Sequence, residues 1–157
     1  QTASKTMNGK DEPRADKLVD SWLKQLASAA AGHDTGGYLL GRNAIIEMQP
    51  LPAPEARATL AALIDCWREG LSRPLPTALA TALAVLRDGN AQEAYDGGFE
   101  RSGDVAEPCL ARLWPDFEAL SGEPDWEPWS RRLYAPFAGW LAQVNVVAIA
   151  TDAEDEA

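Results

Sequence analysis

An α+β fold, predominantly helical, with about five or six helices and a β-hairpin, is predicted by two features of the sequence. Apolar residues recur at intervals of three and four along most of the chain, the period that gives a helix one oily face. One pair of neighbouring runs, 37–40 and 44–48, is instead short, rich in β-formers and joined by a turn containing glycine.

Residues 1–15 are polar, contain Gly9 and Pro13 and show no apolar period, so a flexible lead with no assigned function is expected there. Asp16 is the expected N-cap of a first helix, in which Leu18, Val19, Trp22, Leu23, Leu26 and Ala30 hold the helical spacing and Gly32 supplies the stop. The next two runs are separated by Gly41, Arg42 and Asn43. Gly and Asn tolerate the positive φ of tight turns, which predicts a hairpin over 37–48. Pro50, Pro52 and Pro54 bar regular structure until the first turn of a second helix, where proline is accommodated. Its apolar stripe is Leu60, Leu63, Ile64, Trp67 and Leu71, and Gly70 marks its end.

Pro74 and Pro76 precede a third helix through Leu79, Ala82, Leu83 and Leu86, closed by Asp88 and Gly89. Its small Ala and Thr side chains let a neighbouring helix approach closely, so a central place in the packing is expected. One more helical turn is expected over 91–95 and an exposed loop over 100–104. Residues 105–120 read as helix interrupted by Pro108 and Pro115. A last helix follows Pro124 and Asp125 and carries Trp126, Trp129, Leu133, Phe137, Trp140 and Leu141, with Pro136 expected to kink or divide it. Residues 144–149 suit a final strand, and 150–157 form an acidic tail. The expected organisation is therefore one helical domain over 16–149 between the lead and the tail.

Composition narrows the function. The net charge is -10, and all four lysines, Lys5, Lys10, Lys17 and Lys24, lie in the first 24 residues. The acidic remainder would repel a duplex unless its arginines cluster, which disfavours unaided, non-specific DNA binding. Cys66 and Cys109 lack the nearby Cys or His partners of a zinc or CxxC site, and both are expected as buried thiols. Residues 1–14 hold no apolar run that would read as a signal peptide and no stretch approaches about 20 apolar residues, so a reducing, cytoplasmic setting without membrane contact is expected.

Catalytic constellations find little support. His33, the sole histidine, sits at a helix end, where a favourable dipole contact is the expected role. The serines lack a GxSxG context, and Gly36–Gly37 and Gly97–Gly98 lead into neither GK[ST] nor GxGxxG. Metal-dependent nucleases of the restriction-endonuclease type place a carboxylate two residues before a lysine, so that the carboxylates hold the ion and the ammonium polarises water or phosphate. The residues at that offset here are Ala3, Asn8, Ala15 and Trp22. No catalytic residue, metal ligand or cofactor is therefore assigned. The aromatic group Trp114, Phe117, Trp126, Trp129, Tyr134 and Trp140 reads as core in preference to a base-stacking surface, since its spacing is helical and few cations accompany it. Arg131–Arg132 is the sole adjacent basic pair after Lys24. With Trp126 and Trp129 it forms the candidate contact for DNA or a partner.

Several blocks, taken in order, resemble the C-terminal part of the gamma (RecC) subunit family of exodeoxyribonuclease V. They are Trp22–Leu23, Pro50–Leu51 with Ala56, Leu60, Leu63 and Trp67, then Gly70 with Pro74–Leu75–Pro76. Ala94–Tyr95 with Gly97, the block Leu113–Trp114–Pro115–Asp116–Phe117, and Arg132–Leu133–Tyr134 with Pro136–Phe137 complete it. The likeness covers roughly residues 16–142, and its specificity lies in order and spacing. It implies the C-terminal part of a restriction-endonuclease-like domain stripped of catalytic residues, within a heterotrimeric helicase-nuclease for double-strand-break repair and recombination. It further implies alpha (RecD-like) and beta (RecB-like) subunits as partners and DNA contact only within the complex. The chain would then be a fragment that begins after the first core strands of the sheet. The rival readings are a divergent Mg-dependent nuclease and a stand-alone DNA-binding or protein-interaction module.

Overall fold

In a computed structural model, residues 4–8, 12–33, 36–99 and 102–149 are described. Among the described residues, seven α-helices and a three-stranded sheet occur in the order α1 (Ala15–Ala30), β1 (Gly37–Leu40), β2 (Ala44–Met48), α2 (Ala53–Gly70), α3 (Leu79–Leu86), α4 (Ala91–Asp96), α5 (Pro108–Leu113), α6 (Phe117–Ser121), α7 (Trp126–Leu141) and β3 (Asn145–Ala148). The α+β, mainly helical class stands, with the hairpin where the Gly41–Asn43 turn places it. The helix count exceeds expectation because Pro108 starts α5 and Pro115 separates it from α6. Pro136, in contrast, does not divide α7, which runs through it. Trp129, Phe137, Trp140 and Leu141, on both sides of the proline, are buried, and burial of this kind offsets the cost of the hydrogen bond that proline removes.

The chain divides into two compact units, residues 1–62 with 139–157 and residues 63–138, with boundaries inside α2 and α7. In the first unit the sheet order is β1-β2-β3, antiparallel throughout, with Leu40 opposite Ile45 and Ile45 opposite Val147. Strand alternation sends Ala44, Ile46 and Met48 inward. From α1, Leu18, Trp22, Leu26 and Ala29 are buried along one stripe. A buried amide ties α1 to α7 and to the segment after β2: Gln25 Nε2 donates to the Gln49 carbonyl (2.6 Å), and Gln25 Oε1 accepts from Trp140 Nε1 (2.8 Å). The start of α1 differs from expectation, since Arg14 holds the N-cap position with no side-chain bond to the first-turn backbone N–H groups, and Asp16 lies in the first turn. Partial burial there works to raise the Asp16 pKa, but hydrogen bonds from Arg14 and Lys17 outweigh it and hold the carboxyl below its ordinary value.

Within the lead over 1–15, Thr6 and Met7 are buried. The amide of Asn43 holds them: Oδ1 accepts from the Thr6 N–H (2.9 Å) and the Met7 N–H (3.3 Å), and Nδ2 donates to the Met7 carbonyl (3.3 Å). Thr6 Oγ1 adds a bond to the Ala44 carbonyl at 3.3 Å. Asn43→Ala should therefore destabilise the protein by about 2 kcal/mol, the cost of leaving partly buried backbone groups unpaired. Asn43→Asp, which keeps the acceptor and loses the donor, should cost less. Urea unfolding of the two variants checks the order, and equal stability of Asn43→Ala and the parent would refute it. The tail over 150–157 lies outside the described residues.

The second unit is built around Ala78, Tyr95, Trp114 and Leu120, with Val105, Leu110, Phe117, Ala119 and Trp126 packed against them. The central place expected for α3 agrees with the burial of Thr81, Ala82 and Leu83. Its N-cap, Ala78, has no side-chain acceptor, and Asp104 substitutes from a 3-10 turn (Asp104–Ala106): its Oδ2 accepts from both Thr81 N–H and Thr81 Oγ1 at 2.8 Å. Gly103 permits that approach, because a Cβ there would collide with the Tyr95 carbonyl. Asn90 and Asp116 cap α4 and α6 through Glu93 N–H and Ala119 N–H. Cys66 is buried as expected, whereas Cys109 is exposed: it lies in the first turn of α5, a helix with no buried residue.

Candidate functional site

The four residues singled out by sequence, Trp126, Trp129, Arg131 and Arg132, all lie on the first half of α7. Helical rotation separates neighbours by about 100°, so adjacent arginines do not share a face. Arg132 turns toward Trp129, its Cζ 4.8 Å from the ring centroid, and Arg73, from the segment after α2, places its Cζ 5.5 Å from the same ring. Glu69, near the end of α2, joins the two cations, accepting from Arg73 Nη2 at 2.8 Å and from Arg132 Nη1 at 3.4 Å. Asp125 accepts from Arg73 Nη1 at 3.2 Å. The bonds to Glu69, and after them to Asp125, raise the Arg73 pKa above its ordinary value.

Arg131 stands apart. Its partner is Glu127, one turn back on α7, at 3.8 Å, and both side chains are more than half exposed. Surface pairs of this kind contribute at most about 1 kcal/mol. Trp126 also belongs elsewhere: it is partly buried and meets Phe117 edge-on, with centroids 5.5 Å apart. Trp129 and Arg132 are thus brought together with three residues that sequence reasoning passed over, Glu69, Arg73 and Asp125. The visible signal was the spacing of Glu69 and Arg73, four residues apart.

Chemically this cluster is a clamp. Trp129 is only 4% exposed, so the ring offers no free surface for a base. Guanidinium groups stay protonated and do not serve as general acids or bases at neutral pH, and both carboxylates already accept from arginine. Two cations facing two carboxylates leave the cluster neutral. The other aromatics follow the same pattern, since Trp114 and Trp140 are buried. Tyr134 is partly buried: burial, and secondarily the charge of Asp104, push its pKa up to about 12. Because the folded pKa lies above the ordinary value of 10, the stabilisation is fully present below pH 10. It is lost as pH rises from there through about 12. Tyrosinate difference absorbance in that interval, with urea midpoints falling in parallel, is the expected result. A Tyr134→Phe variant with the same alkaline loss would contradict it.

Two further features bear on function. A cleft of about 320 Å³ is lined by Ala29, Gly32, His33, Pro50, Leu51, Pro52 and Ala53, where His33 is the sole ionisable lining residue. Among the described residues, no group of three or more His, Cys, Asp or Glu is placed to hold a metal ion. No helix among the described residues is long and apolar enough to cross a membrane.

The apolar stripe of α2 departs most from expectation. In its second half the buried residue is Cys66, while Ile64 and Trp67, and Leu71 just past its end, are 40%, 63% and 68% exposed. These three repeat at the helical period and form a single ridge. Asp65 and Arg68 beside the ridge pair with each other at 3.2 Å, so its border carries balanced charge.

A family model described as the RecC C-terminal domain matches residues 3–90, a stretch that includes α1, β1, β2, α2 and α3. It begins inside the expected lead, where Thr6 and Met7 are packed, and it contains the exposed ridge. No curated protein matches the chain.

Proposed function

The chain belongs to the RecC C-terminal domain family, and we propose that it acts as a non-catalytic scaffold that docks the other subunits of exodeoxyribonuclease V in double-strand-break repair and recombination. The observation that carries this reading is the ridge of Ile64, Trp67 and Leu71. A soluble helix normally turns its large apolar side chains inward, and here the small side chain is inward and the large ones face solvent. Tryptophan is the residue type that most often concentrates binding energy at protein interfaces. Contact with the alpha (RecD-like) or beta (RecB-like) subunit would remove this ridge from water, in the cytoplasm and without a membrane. In this reading DNA is met only within the complex, where Arg131, the least engaged member of the candidate set, would be available to phosphate.

The test uses this chain with the purified alpha and beta subunits of the same enzyme, assayed by sedimentation velocity. Trp67→Ala should weaken association about 30-fold, the equivalent of roughly 2 kcal/mol at an interface centre. Its thermal unfolding should stay unchanged, since the side chain is already in water. Undiminished association of Trp67→Ala and of Ile64→Ala would overturn the docking role. Incubation with linear duplex DNA and Mg²⁺ tests the non-catalytic half of the reading. Degradation that disappears on substituting one carboxylate would establish a divergent nuclease instead.

A further inference from the structure

We draw no further inference here: the strongest candidate, the exposed outer face of the three-stranded sheet bearing Tyr38, Leu40 and Val147, is apolar, but nothing in the structure shows what covers it.

Discussion

Tyr95→Ala should cost about 4 kcal/mol, a large share of the roughly 5 to 15 kcal/mol that holds an ordinary domain folded. The side chain has no exposed surface and stands among Ala78, Trp114 and Leu120, where its removal leaves a cavity the neighbours can only partly fill. Its ring also approaches Phe117, with centroids 6.5 Å apart. The hydroxyl adds a separable share, because it donates to the Trp114 carbonyl at 2.6 Å. Burial, followed by the charges of Asp104, Asp96 and Asp116, raises the phenol pKa, which keeps the donor protonated. Tyr95→Phe isolates that bond and should cost about 1 to 2 kcal/mol, the penalty of one buried carbonyl left unpaired. Urea unfolding followed by tryptophan fluorescence gives both numbers. A loss below about 1 kcal/mol for Tyr95→Ala would mean that this cluster is not what holds the second unit together.

Elements that rest on local chemistry were readable in the sequence. The spacing of Leu18, Trp22 and Leu26 and the Gly41–Asn43 turn act through neighbours a few residues away, and both α1 and the hairpin stand where they were expected. The limits of α3, between Pro76 and Asp88, are equally local. What failed to show was long-range. Nothing near Thr6 announces that an amide 37 residues further on will bind its backbone. The same holds for Asp104 substituting for the missing cap of α3. Periodicity located the oily stripe of α2, yet it cannot say whether anything is present to cover that stripe, and Ile64, Trp67 and Leu71 are exposed. At α7 adjacency groups Arg131 with Arg132, whereas helical rotation gives them different carboxylate partners, Glu127 and Glu69. The aromatic group was legible as packing because helical spacing with few cations is what a core requires, and Trp114, Trp129 and Trp140 are buried.

The distinction between structural and catalytic carboxylates can be drawn at Asp104. Its Oδ2 accepts two bonds from one residue, Thr81, and in doing so satisfies the start of a helix whose own cap residue is alanine. Bonds to a charged group are stronger than neutral ones, so Asp104→Ala should destabilise the protein by about 3 kcal/mol. Asp104→Asn, which keeps an oxygen acceptor and loses the charge, should recover roughly half of that. Tyr134 provides an internal reporter, since the Asp104 charge is the second cause of its raised pKa. In the Asn variant the Tyr134 phenol should ionise at lower pH than in the parent, while burial still holds it above 10. A nuclease carboxylate would behave otherwise: its substitution would abolish Mg²⁺-dependent cleavage and, by relieving charge repulsion, leave stability equal or improved. An Asp104→Asn protein that is as stable as the parent and shows an unmoved Tyr134 titration would remove the structural role assigned to this residue.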